Sequence, residues 1–222
     1  MLFDDFSIAQ KLAVWALPVL FAITLREMAH GFAARACGDM TGVATGRLSA
    51  NPLKLVDPIG TVLVPGILIT IGGFLMGWPK PIPIDFSRLH HPKRDLAKVA
   101  AAGLAANIAM AVFWAALIKF TIVFGPDAPS WVGLRYMGVA GVSINLALLV
   151  LNLLPLPPLD AGRILISVLP MRQAMALAKV EPYAFFIVLG VLLLFRELLF
   201  WPLVISQGLL FMLFGIEGAS LY

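Results

Sequence analysis

The chain reads as an all-α polytopic membrane protein, and three observations lead there: its composition, the spacing of its apolar runs, and the few polar residues inside them. Of 222 residues 61% are hydrophobic and 13% charged, with a mean hydropathy of +0.96, against roughly 45–50% apolar residues in soluble domains. Apolar runs fall at about 8–36, 59–77, 97–123, 136–154, 183–200 and 202–215, most of them near the ~20 residues that cross a bilayer as a helix. The loops between them are short, no low-complexity tract or internal repeat is visible, and no polar stretch is long enough to fold separately. The expectation is one transmembrane domain over residues 1–222, with a core at about 8–165 and additional C-terminal helices at about 183–215.

The first run follows Asp4 and Asp5 and lacks a basic leader and a small-residue cleavage site, so it reads as a retained helix. The second run is different. It carries Pro58, Pro65, Gly66, Gly72 and Gly73 and leads into the alternating prolines Pro79, Pro81 and Pro83. Interior proline removes a backbone hydrogen bond and glycine costs about 1 kcal/mol in a helix, and broken backbone at membrane depth survives only when buried in protein or lining a cavity. A re-entrant or partly extended loop at about 59–77 is therefore expected. The distribution of basic residues agrees. If this run does not cross, eleven Lys and Arg residues lie on one side and four on the other; if it crosses, the split is nine to six. The positive-inside rule favours the first arrangement, with the basic loops cytoplasmic. These charges report orientation, so the net charge of +4 does not indicate a nucleic-acid partner. The lone Cys37 forms no intramolecular disulfide and reads as a small buried hydrophobe.

Ionisable and amide side chains inside apolar spans are costly and face the bundle interior, which makes each a functional candidate. Arg26, Glu27 and His30 lie near the far end of the first run, in "TLREMAHGF". One change, Arg26 to His, would spell H-E-x-x-H, in which two imidazoles one turn apart hold zinc and the glutamate is a general base. As written, the motif fits a metalloprotease, a remnant of one, or a polar pair at a helix end. Asn107 lies in the third run; Asn145 and Asn152 lie in the fourth, which ends in a proline-rich break followed by Asp160. Asp160 alone could be a turn residue, and the asparagines read foremost as interhelical hydrogen-bonding groups. His90 and His91 sit in a basic loop, solvated or, as the alternative, substitute ligands. In the non-crossing arrangement the ends of the first and fourth runs share one face, so Glu27, His30 and Asp160 can meet.

Five stretches in order, "REMAHGFAARACGD", "GRLSANPLKLVDPIGTVLVPG", "GWPKPIPI", "HPKRDLAKVAAAGLAAN" and "NLLPLPPLDAGR", resemble the site-2 protease family of intramembrane zinc metalloproteases, in its small bacterial type without a PDZ domain. The resemblance spans about residues 15–165. It implies a three-helix core, zinc as cofactor, and peptide-bond hydrolysis of membrane-embedded protein substrates near the cytoplasmic face of a bacterial inner membrane. Carried onto this chain, the catalytic glutamate is Glu27, the metal ligands are His30 and Asp160, and Asn107 and Asn152 are supporting residues; the first ligand position is occupied by Arg26. Three further departures surround the site: Leu104-Ala105 for a glycine-proline, Ala161 within the family's L-D-G-G, and Leu55 for a histidine. Arginine offers no lone pair and adds a cation beside a dication. The alternative reading is a catalytically inactive pseudoprotease that binds transmembrane segments as an adaptor, with Arg26 paired to Asp160 or Glu27 in the metal's place or turned to water.

Overall fold

The computed structural model describes residues 6–49, 51–64, 66–67, 79–125, 129–194 and 196–217. Among them there is no strand, and three helices are long and apolar enough to cross a membrane. The first, α1 (Ile8–Ala36), opens on a capping box: the Ser7 hydroxyl accepts from the Gln10 amide at 3.3 Å and the Gln10 side chain accepts from the Ser7 amide at 2.9 Å, satisfying donors that a helix start leaves open. Its 29 residues extend about 43 Å, more than the ~30 Å hydrocarbon core.

Helices α2 (Pro92–Phe124) and α3 (Pro129–Asn152) form an antiparallel hairpin. Glycines let them approach: a methyl group at Gly138 would meet Ile118, and one at Gly141 would collide with the Trp114 ring. Trp114, Ala115 and Ile118 of α2 pack with Val139, Val142 and Leu146 of α3 and with Leu210 of a later helix. Close approach at small residues is how helices associate in lipid, where dispersion replaces hydrophobic driving force. Buried Arg135 donates to the carbonyls of Gly125 at 2.7 Å and Thr121 at 3.4 Å, placing a cation at the negative end of α2. On the other side of the hairpin, Val19, Ala22 and Ile23 of α1 pack against Ile144.

The chain leaves α1 and enters α2 at the same end of the bundle. His90 donates its amide to the Cys37 carbonyl at 2.8 Å, and Cys37 and Ala34 pack with Leu89 and Val99. Gly38, at φ +107°, makes the sharp exit from α1, and a side chain there would also run into the His90 imidazole. Cys37 and His90 therefore lie at one end of the bundle, where the non-crossing arrangement places them. Of the expected re-entrant loop, Pro58–Leu63 forms a π-helical stretch whose start is capped by Asp57, which accepts from the Ile59 and Gly60 amides at 2.9 and 2.7 Å; residues 65 and 68–78 lie outside the described residues.

Asp39 then ties the returning segment to the end of α1. One carboxylate oxygen accepts from the Thr41 amide at 2.9 Å and hydroxyl at 2.5 Å, the other from the Asp85 amide at 2.9 Å. Burial pushes its carboxyl up and nearby Asp85 adds to that, but the three donors outweigh both and hold it below the usual carboxylate range.

After α3 the proline-rich stretch makes a tight turn into α4 (Asp160–Val168), followed by α5 (Met171–Ala178), α6 (Ala184–Leu194) and α7 (Arg196–Leu213). Helix α7 runs through Pro202, and residue 195, between α6 and α7, lies outside the described residues.

Candidate functional site

The last turns of α1 present Arg26, Glu27 and His30 toward the α3–α4 junction. Their spacing of three and four residues puts them on one helix face. Arg26 Nη2 donates to Asp160 Oδ2 at 2.6 Å and to Asn152 Oδ1 at 2.7 Å, with Arg26 20% and Asp160 1% exposed. Asn152 is itself held, its amide nitrogen donating to the Leu148 carbonyl at 2.8 Å. One guanidinium edge is therefore shared by two acceptors whose positions are set by α3 and by the first residue of α4. Of the partners weighed for Arg26, Asp160 is the one engaged, joined by Asn152.

His30 Nε2 lies 3.1 Å from Asp160 Oδ1, and His30 Nδ1 lies 3.7 Å from Glu27 Oε2. The imidazole rests on α2 where Gly103 leaves room, since a Cβ there would collide with the ring. Glu27 is anchored from a distant part of the chain: its Oε1 accepts the Ile82 amide at 2.8 Å. The segment bearing Ile82 is pinned further by the Lys80 amide donating to the Leu55 carbonyl at 2.9 Å and by Arg47 donating to the Pro81 carbonyl at 2.9 Å. Leu55, where the family has a histidine, is wholly buried and packs with Met28 and Ile82 beneath the site. Ala161, the departure from L-D-G-G, spares the glycine that matters: a Cβ on Gly162 would strike the Leu156–Pro157 backbone.

These groups line a cavity of about 350 Å³, walled by Arg26, Glu27 and His30 of α1, by Pro81, Ile82, Ile84 and Phe86, by Asn152, and by Pro158, Leu159, Asp160 and Arg163. The structure thus brings together Arg26, Glu27, His30, Asn152 and Asp160 from segments as many as 134 residues apart. Asn107 does not line it. It is fully buried on α2, one turn beyond Gly103, and neither of its side-chain polar atoms has a hydrogen-bond partner. His90 and His91 are exposed outside the cavity. Cys37 is buried among apolar side chains, as a small hydrophobe. Two contributors escaped the sequence reading: the Ile82 amide, invisible in side-chain identity, and Arg163, which counted there only as a loop charge although it stands three residues after Asp160 on the same helix.

Whether the donor set suits zinc is a matter of lone pairs. His30 Nε2 and Asp160 Oδ1 are buried, make no hydrogen bond to any other group and face each other at 3.1 Å, close to the ~3.3 Å expected between two ligands on a tetrahedral zinc with bonds of about 2.0–2.1 Å. A catalytic zinc needs three protein ligands. Here the third position is a guanidinium bonded to the other Asp160 oxygen, and among the described residues no group of three His, Cys, Asp or Glu side chains is arranged to hold a metal ion. The residues present do not fit a resident catalytic zinc.

A three-helix membrane core that brings a Glu-x-x-His turn against an aspartate after a proline-rich break defines the class: the intramembrane metalloprotease architecture. The family model "Peptidase family M50" matches residues 126–195. Over 191 residues the chain is 34% identical to the "Putative zinc metalloprotease YwhC" of Bacillus subtilis, covering 84% of each. It is 32% identical over 190 residues to the "Putative zinc metalloprotease Rip2" of Mycolicibacterium smegmatis, covering 82% of this chain and 70% of that protein. A protein of the same name from Mycobacterium tuberculosis (strain Erdman) is 29% identical over 206 residues, 90% of this chain and 73% of the relative. No solved structure matches. The chain belongs to Peptidase family M50, the site-2 protease family of intramembrane metalloproteases.

Proposed function

We propose that this member keeps its family's arrangement for engaging membrane-embedded protein segments while Arg26 closes the hydrolytic centre, so that it acts as a pseudoprotease adaptor. One observation supports this above the others: the Arg26 guanidinium bonds both Asp160 and Asn152 where a third metal ligand would be needed. One more of the site's groups is diverted: Glu27, the position of the family's base, is bonded to the Ile82 amide. The clients are transmembrane protein segments, and the site faces the cytoplasm at the inner membrane of a bacterium, on the strength of the eleven-to-four charge split.

Metal analysis of the purified chain tests the reading. The unaltered protein is expected to hold well under one zinc per chain and to leave a transmembrane reporter uncut, and Arg26→His to raise zinc toward one, because that change restores the missing lone pair. A second reading, a zinc peptidase completed by another donor, draws on His30 Nε2 and Asp160 Oδ1, which face each other at 3.1 Å and bond no other group. Stoichiometric zinc in the unaltered chain, lost in His30→Ala and Asp160→Ala, would establish that reading and remove the adaptor.

A further inference from the structure

Arg163 projects from the first turn of α4 into the cavity wall, where its Cζ lies 5.4 Å from the centroid of the Phe86 ring. Stacking on an aromatic face fixes the plane of a guanidinium and lowers the entropy lost when its fork takes a partner. Yet among the described residues Arg163 has no ion-pair or hydrogen-bond partner for its side chain. The other charged groups of the cavity are committed: Arg26 to Asp160 and Asn152, Glu27 to the Ile82 amide. Most of the remaining wall, including Ile82, Ile84 and Pro158, is apolar. A half-buried cation with its donors open, in a cavity lined by both polar and apolar side chains, is placed to receive an anionic group.

We propose that Arg163 is a carboxylate receptor in this cavity and reads an Asp or Glu side chain within an otherwise apolar client segment. The inference rests on the client-binding reading above and names the chemistry of the client. A carboxylate presents two coplanar oxygens that match the guanidinium fork, whereas a dianionic phosphate would bring an extra negative charge toward Glu27 and Asp160. The cavity's 350 Å³ is at the small end of ligand sites, which run from about 300 to 1,000 Å³. It takes a side chain or two of a client, not a whole helix.

The test uses the full chain in detergent micelles and two fluorescent apolar peptides of about 20 residues, amidated at the C-terminus and differing only in a central Glu or Gln. Fluorescence anisotropy is expected to show the Glu peptide binding about 10–100-fold more tightly, the range of a charge-assisted hydrogen bond. Arg163→Gln should erase that preference and leave the Gln peptide unaffected; Arg163→Lys, which keeps the charge without the fork, should restore part of it. Equal binding of both peptides overturns the receptor and leaves the adaptor standing, while failure to bind either overturns both. Loss of the Glu preference on adding phosphatidylglycerol to the micelles would assign the receptor to a lipid phosphate and overturn the peptide assignment. If Arg163→Gln fails to fold, Arg163→Lys decides: an undiminished preference removes the bidentate contact.

Discussion

Arg26→Ala and Asp160→Ala, alone and together, probe the pair most directly. At an effective dielectric constant of 20 and about 4 Å between charge centres, the raw attraction is about 4 kcal/mol. Arg26 is 20% exposed and part of that attraction is screened, so a coupling of about 2–3 kcal/mol is expected. The single changes should differ. Arg26→Ala abandons a carboxylate that is 1% exposed, at the ~3–5 kcal/mol that follows from orphaning a buried charge. Asp160→Ala leaves a guanidinium that keeps Asn152 and can turn toward water, so its cost should be about 2–3 kcal/mol. The double change should then be milder than the sum by the coupling energy. A detergent unfolding titration of all four proteins measures it. Additive losses, or Asp160→Ala costing more than Arg26→Ala, would refute the picture of a buried carboxylate held by Arg26.

Three further outcomes are expected. Gly103→Ala should displace the His30 ring and cost about 1–3 kcal/mol in the same titration, whereas Gly133→Ala, where a Cβ meets nothing, should be neutral or stabilising by up to about 1 kcal/mol. Because the folded Asp39 carboxyl is held below its unfolded value, the stability it confers is complete above the unfolded pKa of about 3.9 and fades as pH falls through the lower folded value. The unaltered chain should therefore lose more stability between pH 5 and pH 3 than Asp39→Asn, and parallel melting curves would refute the linkage. Cysteines introduced at Arg47 and Arg88, in a background with Cys37 replaced, should label from the same, cytoplasmic, face; labelling from opposite faces would contradict the shared site.

The bundle was legible because lipid imposes long apolar runs, and α1, α2 and α3 coincide with three of them within a few residues at most ends; α3 starts earlier, at Pro129 instead of about 136. The meeting of α1 with Asp160 was legible from charge counting, since only a non-crossing second run puts both on one face. What could not be read was the choice among Arg26's three possible partners, because chain order does not say which acceptor a long side chain reaches. Asn152 wins a share since the turn after α3 brings it beside Asp160. The Ile82 amide was hidden for a related reason: it bonds Glu27 across 55 residues through backbone, which leaves no mark in residue identity. Arg163 was misfiled by position, a loop charge in the count but a cavity wall once α4 starts at Asp160.

A substitution that only removed a zinc ligand would leave His30, Asp160 and Glu27 as buried polar groups around a void, each costing free energy without a partner. Arg26 changes that balance. Its guanidinium supplies a positive charge that neutralises Asp160 and two-acceptor bonding that ties α1 to both α3 and α4, while the Ile82 amide satisfies Glu27. Three atoms of the site make no hydrogen bond, Arg26 Nε, His30 Nε2 and Asp160 Oδ1, and the last two face each other at 3.1 Å, a spacing that suits two ligands of a metal. In the proposed reading, the link between α1 and the α3–α4 junction is made by the Arg26 guanidinium. A link of this kind tolerates chelators, so a chelating agent should leave the stability of the unaltered chain unchanged while lowering that of zinc-loaded Arg26→His. Equal sensitivity of the two proteins would mean that metal, and not Arg26, joins the helices.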